Sequence, residues 1–456
     1  MWSPPICSHA VGSGRVLLRR VATLASTSSQ LQLSKVEPST DAVVLTFADG
    51  HRQTVRYQWL ADSCRCERCY NAQTAQRNTG PGIEIPPADV QPESSPQLDS
   101  ANGGLRLRWG KCGSGTAGES FYSGSWLGDR CNSLAADIGQ TGRAAVRAGT
   151  SSTTTMKLVG PGLNHNNVDL LHGRQLWNRD TASAIEPIPF REIHAAHDRH
   201  NRGLMRWLDQ IWTHGFSIVR GVPCDKQSTQ AALARIGVTR NTLYGMTYEV
   251  HNRPDDALTT VGGEMNDSSY SGDALGVHTD GTYWSDPPGL QVFHCFAADT
   301  AGGGTTVLVD GLEIARILQT EAPSVWHTLS TVPIRFEFED SQHSLIQHHT
   351  VFATDELGNP SCVRWNPHDR GAMDVECPDA QRDIYAALEV LQDLLTRPSL
   401  QHRVVLQPGD LLVLHNHRVM HGRDAFRSRS ERHLFGFYVD NDELVSRLRW
   451  VRKNVR

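Results

Sequence analysis

No run of this 456-residue chain stays apolar for the roughly twenty residues that a membrane-spanning helix needs, so the sequence offers no such segment. Positive charge is not in excess: 44 Lys and Arg stand against 49 Asp and Glu, a formal net charge of -5, which argues against nucleic acid or an anionic membrane as the main partner. No fixed-period repeat recurs, which disfavours a solenoid or a propeller. Acidic residues are missing before Glu37, where Arg15, Arg19 and Arg20 stand among serines and leucines. That composition predicts a mitochondrial transit peptide over residues 1–36, with the matrix as destination. Aromatic residues are missing from Asn132 to Val168, a stretch rich in Gly, Ser, Thr and Ala that buries too little apolar surface to order itself. Residues 132–171 therefore read as a linker or insertion. Cysteines are few and uneven: three of the ten are Cys64, Cys66 and Cys69, and such clustering in a reducing compartment argues for metal before disulfides.

What is present reads as a mainly β protein with flanking helices. The segment from Asp41 to Cys64 carries two alternating apolar runs around Asp49 and Gly50, a hairpin signal that opens a small β domain over residues 37–131. Leu105–Gly110 and Ser120–Leu127 suggest a second strand pair. A larger domain over 172–456 follows. Met205–Gly215 has the spacing of an amphipathic helix closed by glycine and feeds the strand-like FSIVRG. Further helices are expected near Leu312–Leu318 and Ala380–Leu395, among short strands and glycine turns that suit a β-sandwich.

Two segments carry the chemistry: VHTDGTYW, Val277 to Trp284, and NHRVMHGR, Asn416 to Arg423. His278 and Asp280, two apart, project to one side of a strand, and His421 completes one face of an octahedral site. Two neutral imidazoles and a carboxylate suit Fe(II) and leave three positions open for an oxo-acid and dioxygen. With 21 histidines in the chain an H-x-D triplet also arises by accident. The surrounding order, with GLQVFHC, GGGTTVLVDG and then LLVLHNHRVMHGR read as one late strand, favours the metal site. Strand alternation would send His415, His417 and His421 to the same side, so spacing alone does not choose among them.

The segments LADSCRCERCYNAQTAQR, NTLYGMTY, HTDGTYWSDPPGLQVFHC, GGGTTVLVDG and VMHGR resemble the γ-butyrobetaine/trimethyllysine dioxygenase family of Fe(II)- and 2-oxoglutarate-dependent oxygenases, over most of residues 37–131 and 172–450. The resemblance implies a double-stranded β-helix, or jelly-roll, oxygenase domain preceded by a small zinc-binding β domain. It also implies iron held by His278, Asp280 and His421, the HGR pattern selecting His421. Arg432 in RHLFGFY matches the family's cosubstrate arginine, suited by its fork to the distal carboxylate of 2-oxoglutarate. Arg423, Arg427 and Arg429 read as solvated loop charges. Thr306 matches the hydroxyl that assists the same carboxylate. A trimethylammonium group has no hydrogen-bond donor and is recognised by aromatic faces. Tyr244, Tyr248, Tyr270 and Tyr438 stand where the family builds such a cage.

Within the family the match runs to the members acting on trimethyllysine. Asp267 would attract the α-ammonium of trimethyllysine and repel the carboxylate of γ-butyrobetaine. The implied reaction is hydroxylation of trimethyllysine at carbon 3, the entry to carnitine biosynthesis, with ascorbate as a further cofactor and a homodimer as the assembly. Hydroxylation of γ-butyrobetaine is the alternative. A zinc hydrolase built on the same triad would leave Arg432 without purpose, and a non-catalytic zinc-dependent interaction protein is the blandest reading. Cys64, Cys66 and Cys69 have the spacing for three thiolates on one structural zinc. The family takes its fourth ligand as a histidine from a later hairpin. No histidine lies between His51 and His165 here, so Cys112, or else Cys131, is the candidate.

Overall fold

The computed structural model describes residues 32–71, 76–78, 85–110, 118–137, 173–251, 273–299, 303–340, 342–373, 378–426 and 432–455. Residues 1–31 of the expected leader, most of the linker, Cys112, Asp267, Tyr270, Arg427 and Arg429 lie outside them, whereas the last leader residues, from Leu33, are already part of the first strand, which pairs Val36 with Leu45.

Alternating burial builds the N-terminal part. Strands β1 (Leu33–Pro38), β2 (Ala42–Phe47) and β3 (Arg52–Arg56) form one antiparallel sheet that turns its Val43, Leu45, Phe47 and Val55 side inward. β4 (Tyr70–Asn71) pairs with β5 (Gln76–Arg77) directly after the cysteine cluster. β6 (Gln97–Asp99), β7 (Gly104–Trp109) and β8 (Gly118–Ser123) make a second sheet. β8 is shorter than its apolar pattern suggests: from Gly124 the chain turns into a helix that continues to Asp137, so the expected linker begins as helix. Leu127 and Trp126 bury on that helix against Trp59 and Tyr122, and a helical face serves this packing where a longer strand would not.

The larger part is two sheets. β9 (Ile188–Pro189), β10 (Phe216–Arg220), β11 (Tyr248–His251), β12 (Leu275–His278), β13 (Leu290–Ala297) and β14 (Thr306–Asp310) are followed by the pairs β15 (Ile334–Glu339) with β16 (Ser344–His349) and β17 (Phe352–Thr354) with β18 (Pro360–Val363). β19 (His402–Val404), β20 (Leu411–His415), β21 (Val419–Arg423) and β22 (His433–Val439) complete the set. The order is β11-β22-β13-β20-β10-β9 in a six-stranded sheet and β12-β21-β14-β19 in a four-stranded one. The helix Arg202–His214 lays Leu204, Trp207, Leu208, Ile211 and Trp212 on one face against the six-stranded sheet. Each such burial contributes roughly 1.5–3 kcal/mol before chain entropy is charged against it.

The run LLVLHNHRVMHGR is not one strand. A turn at 416–418 ends β20 in one sheet and starts β21 in the other, so alternation does not carry from His415 to His421. His415 stacks on Trp212 with its Nε2 at 3.1 Å from Asn441 Oδ1, and His417 Nε2 lies 2.9 Å from the Pro287 carbonyl. Neither joins His421.

The two parts share one core and a buried charge cluster. Asp62 accepts from Arg370 Nη2 and Nη1 at 2.6 and 2.7 Å, from the Tyr385 hydroxyl at 2.8 Å and from Arg77 Nη1 at 2.8 Å. Trp59 Nε1 donates to the Met373 carbonyl at 2.8 Å. Burial raises the Asp62 carboxyl's pKa, but the Arg370 and Arg77 charges outweigh burial and hold it well below the ordinary carboxylate range.

Candidate functional site

Antiparallel register sets the centre of the site. β12 pairs with β21 so that His278 stands directly opposite His421, with ring centroids 4.4 Å apart. Asp280 follows just past β12. Its Oδ1 lies 3.3 Å from His278 Nε2 and 3.7 Å from His421 Nε2, and one ligand atom from each residue falls within 4.8 Å of the others. Asn416 fixes the backbone that presents Asp280: its Oδ1 accepts from Asp280 N–H at 2.8 Å, and its Nδ2 donates to the carbonyls of Asp280 at 3.0 Å and Pro288 at 2.9 Å. The role of Asn416 was not visible in its sequence position, because it acts from the turn between two sheets.

This donor set fits a divalent iron ion. With His278 Nδ1 2.7 Å from the Gly276 carbonyl, the ring donates there and leaves Nε2 as the lone-pair nitrogen facing Asp280. Burial holds His421 as neutral imidazole, its pKa pushed down to about 4, and its Nδ1 is buried with no hydrogen-bond partner. Burial alone would raise Asp280, but the His421 and His278 rings and the Tyr438 hydroxyl outweigh it and bring the carboxyl down to about 2. For His278 the desolvation penalty is outweighed by Asp280, which raises its pKa and favours a positive charge at this spot.

The three residues line a cleft of about 910 Å³, open mouth included. Thr306 on β14 and Arg432, just before β22, line it as well, and both are buried. Gly304, at φ +61°, lets the backbone lie against the arginine: a Cβ there would come within 3.0 Å of Arg432 Nε. Arg423 corrects the sequence reading. It is a buried residue of β21 that lines the cleft and donates to the Asp273 carbonyl at 2.9 Å, since strand pairing with β14 turns it inward.

Tyr244, Tyr248 and Tyr438 come together, with ring centroids 6.1 Å (244–248), 5.2 Å (248–438) and 6.4 Å (244–438) apart. Gly436 sits opposite Tyr248 in the ladder, and a Cβ there would lie 2.3 Å from the ring, so only glycine admits this tyrosine. Tyr438 also donates its hydroxyl to Asp280 Oδ2 at 2.9 Å. Tyr283, which the sequence reading passed over, lines the cleft and its hydroxyl lies 2.8 Å from that of Tyr244; its place in HTDGTYW beside the ligands was the available signal. Asn366, His368 and Asp369 were also missed, and they line the cleft from a loop after β18. His368 is kept neutral, its pKa pushed to about 3 by burial and then by His278.

In the N-terminal part, single ligand atoms of Cys64, Cys66 and Cys69 lie within 4.8 Å of one another. Cys64 Sγ is 2.8 Å from Ser120 Oγ, which accepts from Trp109 Nε1 at 2.9 Å. The first candidate for a fourth ligand, Cys112, lies outside the described residues, and the side chain of Cys131 is not described.

Residues 183–438 match the model of the taurine catabolism dioxygenase TauD, TfdA family, and residues 34–127 match that of the γ-butyrobetaine hydroxylase-like N-terminal domain. The chain is 29% identical over 413 residues to a trimethyllysine dioxygenase of Meyerozyma guilliermondii, covering 90% of this chain and 93% of that protein. It is 28% identical over 402 residues to a mitochondrial trimethyllysine dioxygenase of Homo sapiens, covering 86% and 82%. Among solved structures, asparagine oxygenase is similar at a TM-score of 0.42 and 16% identity, over 60% of this chain and 88% of that one.

Proposed function

Because the chain belongs to the taurine catabolism dioxygenase TauD, TfdA family, and is thus an Fe(II)- and 2-oxoglutarate-dependent dioxygenase, we propose that its substrate is N6,N6,N6-trimethyllysine and its product the 3-hydroxy derivative. The observation that carries this is the tyrosine cluster built onto the triad itself, with Tyr438 shared between them.

His278, Asp280 and His421 would hold the iron. When bound, iron supplies the oxidising power by which dioxygen hydroxylates a C–H bond while 2-oxoglutarate is converted to succinate and carbon dioxide. The remaining work is orientation. Arg432 and Thr306 anchor the far carboxylate of 2-oxoglutarate. Tyr244, Tyr248 and Tyr438 surround the trimethylammonium cation, with Gln291 donating to the Tyr248 hydroxyl and keeping that ring in place. Fixing both ends decides which methylene meets the oxidant. Tyr270 and Asp267 belong to this reading as a fourth aromatic and as the acid that prefers the α-ammonium of trimethyllysine over γ-butyrobetaine.

The six- and four-stranded sheets support reading the oxygenase domain, residues 172–456, as a jelly-roll, with 37–131 as the small domain. Convergence of three cysteines supports a structural zinc there, with Cys112 as fourth ligand. The name of the human relative supports a mitochondrial, and within that a matrix, location, with the residues ahead of β1 as transit peptide. Ascorbate dependence, a homodimer and a place at the entry to carnitine biosynthesis complete the proposal.

The test is to load the protein anaerobically with iron and 2-oxoglutarate, offer trimethyllysine and γ-butyrobetaine together, admit oxygen, and follow both by mass. Hydroxylated trimethyllysine in step with succinate is expected. Hydroxylation of neither amine overturns the proposal, and preferred hydroxylation of γ-butyrobetaine moves it to the alternative substrate.

A further inference from the structure

Among the described residues, Gln76 alone carries the N-terminal part into the catalytic cleft. It is buried, and its Nε2 donates to Asp369 Oδ1 at 3.3 Å across 293 residues of sequence. Asp369 Oδ2 in turn accepts from Asn366 Nδ2 at 2.8 Å and Thr282 Oγ1 at 3.1 Å. Gln76 does not reach this place by chance of a loose loop. Its neighbour Arg77 donates through Nε to the Arg370 carbonyl at 2.8 Å and through Nη1 to Asp62 at 2.8 Å, and Asn78 N–H donates to the Cys69 carbonyl at 2.9 Å. A second, smaller cavity, lined among others by Cys64, Tyr70 and Arg77, shares His368 and Asp369 with the cleft.

Other polar groups of the cleft have roles in the reading above or bonds of their own. The triad takes iron, Thr306 and Arg432 take 2-oxoglutarate, the tyrosines take the cation, and Arg423 donates to the Asp273 carbonyl. Among the described residues, Asn366, His368, Asp369 and Gln76 form a further polar wall of the cleft, and its amide, imidazole and carboxylate groups suit the ammonium and carboxylate of an amino-acid head, beside the Asp267 of the reading above. We propose that Gln76, supplied by the small N-terminal domain, is a positioning residue that holds this wall in register and so determines recognition of the substrate's amino-acid head, as distinct from its cation. The inference rests on the trimethyllysine reading above. It gives the small domain a part in specificity: a side chain that acts on the substrate through Asp369 and Asn366 while the oxygenase domain performs the oxidation.

The test uses the full chain with manganese(II) in place of iron and with 2-oxoglutarate, so that binding is measured without turnover. Trimethyllysine is compared by calorimetry with hexyltrimethylammonium, which has the cation and a similar chain but no amino-acid head. Gln76→Leu is expected to weaken trimethyllysine about tenfold, because Asp369 and Asn366 are no longer held in register for the amino-acid head. Hexyltrimethylammonium binding is expected to stay within about twofold, which shows the variant to be folded, while the melting temperature drops by a few degrees as Asp369 loses a buried donor. Gln76→Met, which keeps the length and removes the amide, serves if the leucine variant does not fold. Equal weakening of both ligands, or unchanged trimethyllysine binding, overturns the inference. So does wild-type protein that binds both ligands equally well. Wild-type protein that binds neither overturns the trimethylammonium reading beneath it, a result separable from the others because no variant is needed to see it.

Discussion

The two walls of the cleft are held by different physics. On one side β12, β21, β13, β22 and β11 carry His278, His421, Tyr438 and Tyr248 on backbone ladders, where each side chain's direction follows from register. On the other, Asn366, Asp369 and Gln76 come from a loop and a short hairpin, and side-chain hydrogen bonds and the Asp62–Arg370 pair hold them together. The ladder wall is less sensitive to the loss of one ligand or ring side chain, because the hydrogen bonds that hold its strands are main-chain. The network wall depends on each member, because removing one leaves a buried donor or charge without its partner.

The sharpest separation is expected at the ladder wall. His278→Ala should abolish hydroxylation and leave the melting temperature near wild type; a variant that unfolds instead would show that the ladder also needs its ligands. At the network wall the effect moves to stability. Asp62→Ala leaves the fully buried Arg370 uncompensated and is expected to cost about 3–5 kcal/mol by denaturant unfolding. A loss under about 1 kcal/mol would erase the distinction between the walls. Because the folded pKa of Asp62 is depressed, its contribution is complete above the unfolded value of about 4 and is lost as pH falls toward the folded one. Wild-type stability should therefore fall more steeply than that of Asp62→Asn as pH drops below about 4.

Tyr438→Phe keeps the ring and removes the hydroxyl that donates to Asp280, and is expected to lower iron affinity or activity by about ten- to a hundredfold. Cation binding, read with hexyltrimethylammonium, should hold within a few-fold; loss of cation binding instead would mean that the hydroxyl serves the cage. The smallest effect is expected from Gly304→Ala, which forces a left-handed backbone costing about 1–2 kcal/mol on an alanine and presses on Arg432. The KM for 2-oxoglutarate should rise and that for trimethyllysine should not.

Legibility in the sequence divides along the same line. His278, Asp280 and His421 were readable because two of them are neighbours in sequence and the third lies in a recognisable HGR. Thr306, Arg432 and three of the tyrosines came from the resemblance, and the structure brings all of them to one cleft. The helix at Arg202–His214 was readable from its period alone. Arg423 was misjudged because exposure of an arginine is a prior about residue type, whereas pairing of β21 with β14 decides its direction. His415 and His417 were assigned to one face with His421 because alternation was carried through a turn that changes sheets. Gln76 and Asp369, 293 residues apart, leave no local pattern at all. Their meeting depends on how the N-terminal part packs against the rest of the chain, and that information lies in Trp59, Asp62, Arg77, Arg370 and Tyr385 taken together.

The hydroxyl of Tyr438 touches the carboxylate that completes the triad while its ring packs in the tyrosine cluster proposed to hold the cation. Selection for a bulkier or differently charged amine, in a lineage or in the laboratory, cannot reshape this position without also retuning the donor strength of Asp280. At Tyr438, substrate range and oxygen chemistry form a single heritable trait, and variants that broaden the first should be recovered with a compensating change near the second.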